Sequence, residues 1–264
     1  MSHMFRCTLA LLLCSLGLST ATYPASASEM PKDFAYLRDI DPTIQQDMRY
    51  AGADNFTGAP VPGYDAPECV LLRQVAEALK AVQADLKAKG FGLLVYDCYR
   101  PTTAVAAFVA WAKLPDDSQA KATWYPNLNK SDLFPDYIAT RSGHSRGATL
   151  DLTIEPLEAS SEAQAGAEAK PPACTAPQEG HAPDGSLAMG TSFDCFDVKA
   201  NTAASGLTEE ERNNRAMLVE QDQVVRKGQR IAEMGSTESD SVKLHFEVRK
   251  LGKPVDPAKL LPAR

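Results

Sequence analysis

Apolar and polar positions along the chain repeat with two periods. From 68 to 90, ECVLLRQVAEALKAVQADLKAKG sets Leu71, Val75, Leu79, Val82 and Leu86 three or four apart. That spacing makes one apolar face of a helix. Lys87 and Lys89 suit the helix's negative end, and Gly90 is a natural stop. FGLLVYDCYRP follows, a dense apolar run that reads as a buried strand ending at Pro101. PTTAVAAFVAWAK then predicts a second helix with Pro101 in its first turn. After Gly147 the period falls to two. Thr149, Asp151 and Thr153 alternate with Leu150, Leu152 and Ile154, which predicts a strand opened by His144 with Asp151 on its polar face. SVKLHFEVRK alternates likewise and puts His245 and Glu247 on the polar side of a last strand. Thr208 and Glu211 form a capping box that opens a helix at TEEERNNRAMLVEQ. Residues 157–187, rich in Ala, Glu, Pro, Ser and Gly, read as a long mobile loop. Few long elements of mixed type predict an α+β fold: one small, mostly antiparallel sheet with helices packed on one side.

Composition narrows the setting. The 264 residues are 44% hydrophobic and 23% charged, enough for a single core. The start, MSHMFRCTLALLLCSLGLSTATYPASA, has a basic residue, a short apolar run and a small-residue cleavage site, so residues 1–27 are expected to be an export signal and 28–264 one domain. The apolar run is shorter than the roughly 20 residues of a spanning helix, and no other segment is expected to cross a membrane. Cleavage after Ala27 removes Arg6 and leaves 26 basic against 34 acidic residues, a net charge of −8. Such a chain is poorly suited to a phosphate backbone, so no nucleic-acid partner is expected. Four cysteines remain, Cys69, Cys98, Cys174 and Cys195, an even number that in an exported chain suggests disulfides. Sequence alone allows three pairings; the short closures Cys69–Cys98 and Cys174–Cys195 are preferred.

Histidines carry the candidate chemistry. Three remain after cleavage, and His181 lies in the low-complexity loop. If the two alternating strands are neighbours, His144, Asp151 and His245 converge. Two imidazoles and a carboxylate with an open fourth position are the donor set of a catalytic zinc. Against this stands the ordinary reading of each as a surface or structural residue.

The motif SGHSRGATLD at 142–151 resembles the SxHxxGxAxD signature of the D-alanyl-D-alanine dipeptidases, zinc peptidases of cell-wall peptides, with Thr149 in place of an alanine. RYAGADNFTG at 49–58, YDCYRP at 96–101, MGTSFD at 189–194 and ERNNRAML at 211–218 resemble further segments of that family in the same order. The resemblance implies zinc on His144, Asp151 and His245. It implies Arg100 at the scissile carbonyl, steadying the oxyanion, and Tyr50 and Ser142 holding the dipeptide D-Ala-D-Ala. It also implies an extracytoplasmic place, the periplasm first. Two positions depart from the family's pattern. The glutamate of its ExxH motif, the base that activates water, is Val242, and the aspartate expected to meet the substrate ammonium is Ala188. Glu247, Glu238 and Asp240 are the nearest replacements for the base; Asp184 and Asp194 are those for the ammonium partner. From Val224 onward the chain resembles instead the C-terminal end of lysostaphin-like murein endopeptidases and their degenerate, amidase-activating relatives, with Lys243 in place of the first histidine of their HxH pair. Two functions therefore compete: a dipeptidase impaired by its missing base, and a catalytically inactive binding or regulatory protein of the cell wall.

Overall fold

The computed structural model describes residues 30–157, 172–228, 249–250 and 253–254. Residues 1–27, expected to be an export signal, and His245 with its neighbours Val242, Glu238, Asp240 and Glu247 lie outside the described residues. So does most of the alternating tail.

The architecture is α+β. Strand β1 (Phe34–Tyr36) runs into a short helix α1 (Leu37–Ile40) and on to β2 (Gln45–Gln46). Strand β3 (Val70–Leu72) leads directly into helix α2 (Arg73–Lys87), which returns as β4 (Phe91–Asp97). Helices α3 (Thr102–Ala112) and α4 (Ser118–Trp124) precede β5 (Asp151–Pro156). Helix α5 (Glu209–Gly228) follows, and a short pair, β6 (Arg249–Lys250) and β7 (Lys253–Pro254), comes last. The sheet that carries the site has the order β2-β4-β5; β4 pairs antiparallel with β5, and β2 lies parallel to β4. β1 pairs antiparallel with β3, and β6 with β7.

The helical stripe read from the sequence is the core. Val75, Leu79, Val82 and Leu86 of α2 are buried against Leu93 and Val95 of β4 and Ile154 of β5. Each such side chain contributes roughly 1.5–3 kcal/mol on burial. Gln83 is the polar member of this face and is fully buried. Its amide donates to the Thr43 carbonyl (3.0 Å) and accepts from Leu93 N–H (2.8 Å), tying α2 to the turn before β2 and to β4. Leu71 belongs to this core but sits on β3 rather than in the helix. A three-residue strand buried next to a helix start has too few positions for its period to show.

A second cluster, centred on Tyr50, Phe56, Phe108, Tyr125 and Phe196, fills the space under α3 and α4. Pro101 caps α3, and the Thr208–Glu211 capping box at α5 is made in both directions, at 2.7 and 3.1 Å. Both disulfides close the short loops, Cys69–Cys98 and Cys174–Cys195. Of the loop expected to be mobile, residues 172–187 are packed: Cys174 is buried, and His181 pairs with Leu187 across a tight turn. Among the described residues, no helix is long and apolar enough to cross a membrane.

Candidate metal centre

The site forms where β4 ends beside the start of β5. Asp97 and Asp151 face each other in the β4–β5 register, just past an irregularity between Val95 and Asp97. Such a bulge re-aims side chains at the end of a ladder. His144 reaches the same point from a 3-10 turn, Gly143–Arg146, and not from the strand that alternation predicts. Gly147 ends that turn with φ +72°, and a Cβ there would lie 2.4 Å from the Phe34 ring. Glycine is needed both for the left-handed backbone and for the close approach. The turn is fastened on both sides. Ser142 Oγ accepts from His144 N–H (3.2 Å), Ser145 Oγ donates to the Arg100 carbonyl (2.8 Å), and Arg100 N–H reaches the His144 carbonyl (3.4 Å).

The imidazole of His144 is buried and has its two nitrogens sorted. Nδ1 lies 3.0 Å from the Cys98 carbonyl and 3.2 Å from Asp97 Oδ2. Both neighbours are acceptors, so Nδ1 carries the hydrogen. Nε2 then faces Asp151 Oδ1 at 3.4 Å. Burial works against protonation of this ring, but the Asp151 and Asp97 carboxylates outweigh burial and the nearby Arg100, and its pKa is pushed up to about 9. The centre therefore attracts positive charge.

Asp97 is fully buried and holds the assembly together. Oδ1 accepts from the Tyr64 hydroxyl (2.7 Å) and Cys98 N–H (2.9 Å); Oδ2 accepts from Arg100 Nε (2.9 Å) and Nη2 (2.7 Å). Burial alone would raise its carboxyl, but Arg100 and then His144 outweigh it and hold it at about 2. The Arg100 guanidinium stacks over the rings of Tyr50 and Phe108, 5.2 and 5.1 Å away, and approaches Asp151 Oδ2 at 3.5 Å. Despite burial, Asp97 keeps it charged.

These groups border an open cleft of about 700 Å³ that Tyr50, Arg100, Ser142, His144 and Asp151 all line. Five of the six site residues expected from sequence thus meet in one place; the sixth, His245, lies outside the described residues. Asp194 lines the same cleft and accepts a 2.6 Å hydrogen bond from the Tyr50 hydroxyl. Its backbone is left-handed, φ +54°. Burial, and then the charge of Asp151, push its carboxyl up to about 7. Asp184 also borders the cleft but is engaged by the Tyr96 hydroxyl (2.5 Å), Arg49 (3.2 Å) and Ser186. Ala188 is buried and outside the cleft lining. Sequence reading missed Asp97 altogether, although it is the second residue of the quoted YDCYRP segment, and ranked Asp194 only as a substitute. The signals were the motifs themselves.

Asp97, His144 and Asp151 offer ligand atoms that all lie within 4.8 Å of one another. Asp97 has no room for a metal role, since five donors surround its oxygens. His144 Nε2 and Asp151 Oδ1 fit one well. Two ligands about 2.0–2.1 Å from a tetrahedral zinc stand roughly 3.3 Å apart, against the 3.4 Å found.

Residues 30–170 match the family described as D-ala-D-ala dipeptidase. The D-alanyl-D-alanine dipeptidase of Enterococcus faecalis is 34% identical over 190 residues, 72% of this chain and 82% of that protein. The chain belongs to the D-Ala-D-Ala dipeptidase family. A second member, from Streptomyces coelicolor, is 45% identical over 126 residues, 47% of this chain and 62% of its own. The match to the dipeptidase family model ends at residue 170. Residues 203–257 match peptidase family M23, and 52 residues, 20% of this chain, are 62% identical to a lipoprotein NlpD/LppB homolog of Pseudomonas aeruginosa, of which they cover 18%. In this family member the turn that carries His144, the strand that carries Asp151 and the buried Asp97 come together, while residues 203–257 match a different peptidase family.

Proposed function

We propose that this protein is an exported, zinc-dependent dipeptidase that hydrolyses D-Ala-D-Ala in cell-wall peptide metabolism, with a rate lowered by Val242. The observation that carries the reading is the His144–Asp151 pair, 3.4 Å apart with the imidazole's other nitrogen already committed. His144 Nε2, Asp151 Oδ1 and His245 would hold the metal. Bound zinc would supply a Lewis acid and a water of lowered pKa.

The protein's own groups then have distinct tasks. Asp97 fixes the tautomer of His144 and the plane of Arg100. Arg100, charged and immobilised, is placed to steady the negative oxygen that develops at the scissile carbonyl. Asp194 offers a carboxylate to the substrate ammonium, whose charge would hold it ionised despite its burial. Tyr50 acts through Asp194, by the hydrogen bond that orients it, and Ser142 shapes the turn that carries His144 as well as the cleft wall. With Val242 where a base is expected, turnover falls about 10²–10⁴-fold below that of a complete site. Two disulfides and the likeness to an NlpD-type lipoprotein support a place in the cell envelope, the periplasm by preference.

The NlpD-like tail favours a second reading: a wall-binding or regulatory protein that keeps the centre but not the reaction. Zinc stoichiometry and D-alanine release on one sample separate the two, with His245→Ala and His144→Ala as controls. One zinc per chain with slow D-alanine release, both lost in the controls, supports the dipeptidase. One zinc without release supports the second reading, and no zinc refutes both.

A further inference from the structure

Each disulfide has one cysteine directly after an aspartate of the site, the buried Asp97 or the cleft-lining Asp194. Cys98 follows Asp97 and is bonded to Cys69; Cys195 follows Asp194 and is bonded to Cys174. The backbone of Cys98 serves the metal end twice. Its N–H donates to Asp97 Oδ1 (2.9 Å), and its carbonyl receives the His144 Nδ1 hydrogen (3.0 Å). The partner Cys69 is an anchor, fully buried, with its N–H on Gln46 Oε1 (2.9 Å) and its carbonyl on Leu37 N–H (2.9 Å). At the other end, Cys174 is fixed by its N–H to the Thr123 carbonyl (2.7 Å) and by its carbonyl to Ser192 N–H (2.9 Å). Phe196 N–H, next to Cys195, binds the Trp124 carbonyl (2.9 Å). Between these fastenings Asp194 holds a left-handed backbone, which a residue with a side chain keeps only when its surroundings over-determine it.

We propose that the two disulfides are positioning elements with separate tasks: Cys69–Cys98 sets the zinc end through His144, and Cys174–Cys195 sets the substrate end through Asp194. The site is then assembled by oxidation. Each bridge forms when two thiols give two electrons and two protons to a disulfide oxidant, which leaves as two thiols. In a reducing compartment the same chain carries four thiols, a slack Cys98 carbonyl and an unheld Asp194, and binds zinc and dipeptide weakly. The proposal rests on the dipeptidase reading for the identity of metal and substrate.

The test compares full-length, oxidised wild type with Cys69→Ala/Cys98→Ala and with Cys174→Ala/Cys195→Ala. Zinc affinity is read by competition with a chromophoric chelator. D-Ala-D-Ala affinity is read by calorimetry on the zinc-loaded protein, and the fold by circular dichroism. Losing an outer partner of a metal-bound imidazole weakens metal about 10–100-fold; the first pair keeps the Cys98 carbonyl but no longer holds it, so its zinc affinity should fall about tenfold, the lower end of that range. The second pair should keep its zinc and lose about tenfold, roughly 1.4 kcal/mol, in dipeptide affinity. Folded variants with both constants unchanged overturn the proposal, and so does an equal loss of both constants in both variants. Should the first pair fail to fold, the second alone decides: dipeptide affinity lost with zinc retained supports the proposal, and unchanged dipeptide affinity overturns it. Failure of both pairs to fold also overturns it, since the bridges then hold the fold and not the site. Wild type judges the dipeptidase reading separately: zinc bound without dipeptide affinity sinks that reading, and the zinc comparison between wild type and the first pair still decides this one.

Discussion

Asp97→Asn is the most searching perturbation of this site, because it changes one charge and almost no volume. Every acceptor position of Asp97 is taken. Oδ1 faces the Tyr64 hydroxyl and Cys98 N–H, and Oδ2 faces Arg100 Nε and Nη2, with His144 Nδ1 at 3.2 Å. An asparagine must turn its NH2 group toward one of these sets, so donors meet donors whichever way it rotates. The Arg100 guanidinium, which stays charged, also loses its nearest counter-charge. Leaving one member of a buried pair alone costs about 3–5 kcal/mol. Asp151, 3.5 Å from Arg100 Nη2 and a third exposed, offsets part of that. The expected loss is therefore near the lower end, about 3 kcal/mol. The assay is urea unfolding of zinc-free, oxidised protein. With a slope of roughly 3 kcal/mol per molar urea the midpoint falls by about 1 M. Asp54→Asn is the control: Asp54 is an exposed partner of Arg49, which keeps Asp47 and Asp184, so its loss should stay under about 1 kcal/mol. Zinc affinity of Asp97→Asn should fall about 10–100-fold as well. A midpoint equal to that of the control would refute the account of Asp97 as the group that holds His144 and Arg100.

Three further substitutions probe the frame. Gly147→Ala forces a side chain into a left-handed backbone and against Phe34; thermal unfolding should show a loss above the roughly 1–2 kcal/mol of backbone strain alone, and Phe34→Ala in the same chain should recover only the contact part. Gln83→Leu keeps the volume but strands Leu93 N–H and the Thr43 carbonyl, so urea unfolding should register a loss of about 1–3 kcal/mol. Glu155 has its carboxyl pushed up to about 7, by burial first and by the charge of Asp184 second. The folded state therefore binds this proton more tightly than the unfolded chain does. The cost of ionising Glu155 is absent below its ordinary pKa of 4.5 and complete above about 7. Glu155→Gln should leave the melting temperature unchanged near pH 4 and raise it at pH 8; since Glu155 is only half-buried, the gain is on the order of 1 kcal/mol. A gain at pH 4 and none at pH 8 would reverse the assignment.

What was legible in the sequence was whatever a local pattern encodes. The stripe from Val75 to Leu86, the capping box at Thr208 and the alternation after Gly147 each express a period or a cap within about a dozen residues, and each forms. The short-loop disulfides were legible for the same reason. His144 was found but placed at the opening of a strand; it lies instead in a turn that ends at the left-handed Gly147, and β5 begins only at Asp151. The misses are contacts of long range. Tyr50 and Asp194 stand 144 positions apart, and nothing near either one announces the bond between them. Asp97 reads as the polar end of an apolar strand, because its four partners come from three separate segments.

The same logic applies where the two family likenesses meet along the chain. The likeness to family M23 begins at 203, yet the first half of α5 is bound into the dipeptidase part. Arg215 donates to the carbonyls of Met189 (2.6 Å), Lys199 (3.0 Å) and Asn201 (2.6 Å), and Asn214 donates to that of Ala188 (2.9 Å). These bonds brace the segment that carries Asp194. The stretch that matches family M23 thus begins among residues that brace the cleft wall. On the proposed ligand set the tail has one chemical condition to meet: an imidazole on the polar side of a strand able to lie along β5, which among the described residues is an edge strand. SVKLHFEV has that alternation, with His245 on the polar side and Val242 where a base is expected. On the proposed ligand set, metal binding and proton transfer make different demands on the tail: His245 serves the first, and Val242 at the expected base position lowers the second without abolishing it.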